Sequence, residues 1–242
     1  MNKQPDSNVS IFDPSRRKPR PIGVAASRIV LVVPTLEMPR HHPDALFAAV
    51  RMIQELAPDE VVHLGDPGEP SHVENRYLCT LRRSYRGAIG FQFSAGLNFS
   101  KYDISSLPPV YELDANWIAV DQPAVPVAIG PGETALRAAI ASGRSVVTAA
   151  TKRCGVGRQT RIYPDGHRKI LIGLEVGHMT NSSSVPPGAS TKAHRESVAV
   201  AAFEFRADGS SQHHILRYSP QGYDIPEALR QSASARNYRA AS

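Results

Sequence analysis

The sequence predicts an α/β domain. Three observations carry that expectation: a continuous apolar run at Ile29–Val33 with a second buried strand at Glu60–Leu64, a helical apolar period between them from Pro43 to Leu56, and a second alternation of short apolar runs and a helical segment between Trp117 and Thr148. Continuous β-branched runs mark strands buried on both faces, as in parallel sheets covered by helices. At 242 residues, 41% hydrophobic and 21% charged, the chain can bury a large core without disulfides.

The elements follow in order. Residues 1–27 hold four prolines and the basic cluster Arg16, Arg17, Lys18 and Arg20, so they are expected to form a flexible basic arm. The domain proper is expected over 28–220. Its first strand, Ile29–Val33, ends at Pro34. Leu46, Phe47, Val50, Ile53 and Leu56 then recur at helical spacing behind Pro43, which suits a first helical turn. Glu60–Leu64 is the second strand, and strand–helix–strand over so short a span makes a right-handed βαβ unit with parallel strands. A short basic helix is expected over Tyr77–Arg86, carrying Arg82, Arg83 and Arg86, and loops over Gly90–Tyr111. Trp117–Val120 and Val125–Ile129 read as strands, Thr134–Ser142 as a helix with Gly143 past its end, and Ser145–Thr148 as a buried strand. Arg161–Tyr163 with Lys169–Ile172 reads as a hairpin across Pro164-Asp165-Gly166-His167. Thr180–Ser190 reads as a polar loop, and Val198–Phe205 with His213–Tyr218 as a second hairpin. Residues 221–242 are expected to be a basic tail, with a short helix near its end.

Composition excludes several classes. Cys79 and Cys154 are too few for a disulfide scaffold, and neither lies in a CxxC pair. No apolar run approaches the ~20 residues of a membrane span, and the first residues lack the apolar core of a signal peptide. A reducing, cytoplasmic setting is expected. Lys and Arg number 28 against 22 Asp and Glu, for a net charge of +6 and a pI near 9.5, which favours an acidic or nucleic-acid partner. Adjacent histidines at His41-His42 and His213-His214 point to opposite faces of an extended chain, so neither pair chelates one ion. Gly130-Pro131-Gly132 is too short for a phosphate loop, and no Gly-x-Ser-x-Gly elbow occurs. Cys154, beside Arg153 but without an evident histidine partner, reads as inert.

Sites in α/β folds lie at the carboxyl ends of strands. Here those loops begin at Pro34-Thr35-Leu36-Glu37, Gly65-Asp66, Ile129-Gly130-Pro131-Gly132 and Ala149-Ala150-Thr151-Lys152-Arg153. In this order, with Pro-Asp-Glu-Val-Val-His-Leu-Gly-Asp at 58–66 and Gly173-Leu174-Glu175-Val176-Gly177-His178 further on, residues 28 to 180 resemble calcineurin-like metallophosphoesterases of bacteriophage type. The resemblance implies an α/β sandwich with central mixed sheets flanked by helices. It also implies a two-metal site whose ions activate water and clamp a phosphoester. The chain departs from the family's ligands almost throughout. Thr35 and Glu37 stand at the Asp-x-His motif, Ile129 falls where a histidine is due, and Ala150 and Lys152 replace the paired histidines of Gly-His-x-His. Only Asp66 of the Gly-Asp motif survives, and the Gly-Asn-His motif has no counterpart.

Metal ions need deprotonated N, O or S donors. Ile129 and Ala150 offer none, and Lys152 brings a positive charge where a cation would sit. A vestigial cleft of Thr35, Glu37, Asp66, Ile129, Ala150 and Lys152 is therefore expected, with no catalytic residue, metal or cofactor and with Lys152 neutralising the carboxylates. The simpler reading has Asp66 capping a loop and Lys152 solvated. The resemblance further extends to phosphoesterase-like recombination directionality factors, which bind a large serine integrase on its attachment-site DNA and promote excision. Expected partner or phosphate contacts are Arg16, Arg17, Lys18, Arg20, Arg82, Arg83 and Arg86. The alternative is a divergent metal-dependent phosphodiesterase acting on nucleotides or nucleic acid through Asp66, Glu37, His63 and His72. A third reading is a virion or replication-complex component of the same fold.

Overall fold

The computed structural model describes residues 27–36, 41–65, 88–92, 105–107, 110–181 and 198–241, with only the backbone course for 88–92, 105–107 and 237–241. The basic arm, Glu37, Asp66, His72, the segment Tyr77–Arg86 and most of the 180–190 loop lie outside the described residues.

Two mixed sheets form the centre. The first has the order β12-β11-β10-β1-β2-β3-β4. Its strands are β1 (Arg28–Val33), β2 (Glu60–His63), β3 (Ala88–Gln92), β4 (Ser105–Leu107), β10 (Ala199–Phe205), β11 (Ser211–Ser219) and β12 (Gly222–Tyr223). β1 to β4 run parallel, and β10 pairs antiparallel with β1. The second sheet has the order β5-β6-β7-β9-β8, from β5 (Val110–Glu112), β6 (Trp117–Val120), β7 (Ser145–Thr148), β8 (Cys154–Ile162) and β9 (Arg168–Val176). β6, β7 and β9 are parallel there.

The alternation along β1 shows how the layers stack. Ile29, Leu31 and Val33 join one apolar cluster with α1 (Pro43–Leu56), while Val30 and Val32 join another that includes Trp117, Val147 and Leu174 of the second sheet. The first sheet is thus covered by α1 on one face and by the second sheet on the other. Helix α2 (Glu133–Ser142) covers the far face of the second sheet through Ala138, Ala139 and Leu171. Burial on both faces is the physical reason that β1 runs apolar from Ile29 to Val33, and it also buries the polar ends of β2 and β7, Glu60, His63, Ser145 and Thr148.

Helix α1 begins where Pro43 fits the first turn and the His42 Nδ1 accepts the Ala45 N–H at 3.2 Å. It ends at Ala57, whose N–H still reaches the Ile53 carbonyl while its left-handed φ of 40° turns the chain out of the helix ahead of Pro58. Phe47, expected on the buried face, is 67% exposed, because Leu46, Val50, Ile53 and Leu56 complete the stripe without it. Three further expectations are corrected. Gly90–Tyr111 is not loop throughout, since it carries most of β3 and all of β4 along with the start of β5. Val125–Ile129 is not a strand: Pro123 and Pro126 remove ladder donors, and the segment runs as an irregular loop. From 221 on the chain is not a free tail. It forms β12 and helix α3 (Glu227–Ala241), which buries Leu229 and Ala233 in the α1 cluster. Arg236 of α3 binds the Asp59 carboxylate and the Ala57 carbonyl, and Arg230 binds Glu55 at 2.7 Å.

Candidate functional site

The strands of both sheets end beside one cleft of about 340 Å³. Thr35 after β1, Gly65 after β2, Asp121 after β6, and Ala149, Ala150 and Lys152 after β7 line it, and Val125, Val127 and Thr134 close one side. The β1 and β2 ends touch closely. A Cβ on Gly65 would lie 2.0 Å from the Thr35 Oγ1, and Gly65 has φ +88°, so glycine is required there on both counts. Thr35 is buried, and its carbonyl accepts the Met179 N–H at 2.8 Å.

The structure brings Thr35, Ala150 and Lys152 together around this cleft. Lys152 is exposed, with a left-handed φ of 55°. Ile129 stands apart, 95% exposed on the rim loop and not facing the cleft. Glu37, Asp66 and the seven arginines and lysines expected as contacts lie outside the described residues.

A framework that the sequence reading missed holds the rim in place. Glu175, with no exposed surface, accepts the Thr134 N–H at 3.0 Å and the Thr151 hydroxyl at 2.8 Å, and lies 3.4 Å from the Arg153 Nε. The Arg153 guanidinium reaches on to the carbonyls of Ala128 at 2.8 Å and Ile129 at 2.5 Å. One buried carboxylate therefore ties the start of α2, the β7 loop and the apolar rim together. The signal was a lone carboxylate inside the apolar run Leu171–Val176, where an unpaired charge is too costly to bury. Asp121 was missed as well. It is a carboxylate directly after a buried strand, and its carbonyl accepts from the Thr148 hydroxyl at 3.2 Å.

Among the described residues no histidine lines the cleft. His63 alternates with Val62 and Leu64, which face the second sheet, so it lies on the α1 side. It is 1% exposed, and burial lowers its pKa to about 3, so it is neutral at physiological pH. The His178 Nδ1 accepts the Thr180 N–H at 3.1 Å. His213 packs at 5.3 Å from the Trp117 ring, and burial, then Arg158, then His214 lower its pKa. Cys154 holds its proton tightly: burial pushes the thiol up to about 12, and its Sγ meets the Val176 carbonyl at 3.3 Å.

Among the described residues no group of three or more His, Cys, Asp or Glu side chains is placed to hold a metal. The described cleft offers one carboxylate, Asp121, with threonine hydroxyls and the Lys152 ammonium. That donor set does not fit a pair of divalent ions, which need several anionic or imidazole ligands. Among the described residues no helix is long and apolar enough to cross a membrane.

No family model matches the chain. The chain is similar to the Gene 54 protein of Mycobacterium phage D29, with 25% identity over 206 residues, covering 64% of this chain and 80% of that protein. The Gene 54 protein of Mycobacterium phage L5 gives the same identity and coverage. Among solved structures, it is similar to Chaetomium thermophilum Vps29 complexed with a RaPID-derived cyclic peptide, with a TM-score of 0.44 and 14% identity over 83% of this chain and 94% of that one. It is also similar to a metallophosphoesterase from Sphaerobacter thermophilus, with a TM-score of 0.42 and 12% identity over 86% of this chain and 99% of that one. The α/β architecture, two mixed sheets between helices, stands on the strand pairing described above.

Proposed function

We propose that this chain is a phosphoesterase-like phage protein that works by binding rather than hydrolysis, as a recombination directionality factor that engages a serine integrase on its attachment-site DNA and favours excision. The observation that carries the reading is the cleft itself. Where the resemblance implies imidazole ligands, Ala150 and Lys152 line the wall, and Ile129 is turned out to solvent. An ammonium group occupies the region where a two-metal enzyme concentrates its positive charge, and it is not a metal ligand while protonated. The rim supports a binding role, since Val127 is 71% exposed beside Ile129 on a loop held by Arg153. Exposed apolar residues on a fixed loop suit a protein partner. The phage relatives support the biological setting, a bacterial host cytoplasm.

The mechanism is a biased equilibrium. The factor binds one integrase–DNA arrangement more tightly than the other, since equal binding to both shifts nothing. Arg16, Arg17, Lys18, Arg20, Arg82, Arg83 and Arg86 are proposed as its further contacts. The test is recombination in vitro with the cognate integrase on left- and right-junction DNA. Excision that appears on adding the protein supports the proposal, and its absence at saturating protein rejects it.

Asp121 favours a second reading, because it keeps a carboxylate at the cleft. In that reading the protein is a divergent phosphodiesterase, with Asp66 and Asp121 as ligands. Phosphodiester turnover in Mn²⁺ that is lost in Asp121→Asn and Asp66→Ala would establish it and overturn the binding proposal.

A further inference from the structure

The outer half of the β8–β9 hairpin extends past β7, with only its root, at the buried Leu171, packed against α2. β7 pairs with β9 only at Gly173, Leu174 and Glu175, and β8 is the sheet's last strand. Arg158–Ile162 and Arg168–Ile172 consequently pair only with each other, as a two-stranded ribbon about 17 Å long. Its turn is well defined. The Tyr163 N–H donates to the His167 carbonyl and the Gly166 N–H to the Tyr163 carbonyl, both at 2.9 Å. The Asp165 carboxylate is used within the turn, accepting the His167 N–H at 2.9 Å.

The ribbon carries Arg158, Arg161, Arg168 and Lys169 against that single carboxylate. Among the described residues none of the four makes an ion pair. Arg161 and Lys169 are direct cross-strand partners, an unfavourable juxtaposition in the isolated fold. Arg161 also lies over the Tyr163 ring at 5.3 Å, which holds its guanidinium at the ribbon's end. Ile162 and Ile170, 66% and 61% exposed, lie on the opposite face, which they share with Arg158 and Arg168. Protecting a sheet edge asks for charge, but not for charge of one sign on both strands. A polyanion would relieve the repulsion, and a two-stranded ribbon has the width to enter a DNA major groove.

We propose that this ribbon is a nucleic-acid arm that grips the phosphates of duplex DNA without reading bases. The contact is independent of any integrase, so its failure would leave the directionality proposal standing. The experiment is anisotropy of a labelled duplex of about 30 base pairs and arbitrary sequence, titrated with the full chain between about 50 and 200 mM salt. A variant with Arg158, Arg161, Arg168 and Lys169 all changed to Gln, its fold checked by circular dichroism, is expected to bind at least about tenfold more weakly at low salt. Its log–log salt dependence is expected to be shallower by about 3 to 4. A variant with only the three arginines changed to Lys is expected to retain binding, since phosphate contacts need charge rather than a guanidinium fork. Unchanged binding in the Gln variant would overturn the proposal. So would wild-type chain that binds polyglutamate but not duplex, which would point to an acidic protein instead.

Discussion

Glu175 and Arg153 meet in the interior of the second sheet, and their pairing is a structural matter before it is a functional one. A buried charge that loses its partner costs more than the pair contributes when intact. Glu175→Ala should therefore lower the unfolding free energy by about 3 kcal/mol in urea titration, by leaving Arg153, Thr151 and the Thr134 N–H without their acceptor. A loss below about 1 kcal/mol would mean the rim is not held this way. His63 makes a second residue-scale prediction. Its imidazole takes a proton near pH 6.5 in the unfolded chain but only near pH 3 when folded. The unfolded state thus binds the extra proton between those values. Stability from this source is complete above pH 6.5 and falls as the pH drops, by about 1.4 kcal/mol per unit, or about 2 kcal/mol at pH 5. His213 and His214, both lowered chiefly by burial, act in the same direction. Unfolding at pH 7 and pH 5 should show a clearly smaller difference for His63→Leu than for the natural chain, and an equal difference would contradict the assignment.

At the scale of elements, a helix near the chain's end was expected, and what the sequence concealed is the docking of α3 onto the core. Its polar, arginine-bearing segment Glu227–Ala241 resembles a solvated tail, because among its described side chains Leu229 and Ala233, four residues apart, are the apolar ones in the core, and Arg236 finds Asp59 across 177 positions of chain. Contacts that distant leave no local pattern. Leu229→Ala should cost about 2 to 4 kcal/mol, measured by urea unfolding, as for other buried leucines. An effect within about 0.5 kcal/mol would mean that α3 is not docked. By contrast β1, α1, β2, α2 and β7 were legible, because apolar runs mark the strands, Pro43 opens α1 and Gly143 closes α2. The segment Val125–Ile129 misled because its apolar run is that of a strand while Pro126 within it removes a ladder donor. Its exposure marks a surface loop that the apolar run alone does not reveal.

For the whole molecule, the cleft was legible in position but not in composition. The ends of apolar strands can be read from a sequence, so Thr35, Ala150 and Lys152 could be placed at one edge in advance. Asp121, Thr134 and the Glu175–Arg153 tie depend on which sheet faces which, and that is settled only by packing. The net charge of +6 then acquires a location, because part of it is concentrated on the β8–β9 ribbon. The proposed binding role draws on the described cleft, the exposed apolar rim and the basic β8–β9 ribbon together. That claim is tested most directly by adding the natural chain and a doubly altered Asp66→Ala, Asp121→Asn chain to the cognate integrase on junction DNA, in chelator and in Mn²⁺. The binding account predicts excision with both chains under both conditions. Excision that requires Mn²⁺ and both carboxylates, or no excision with either chain, would contradict it.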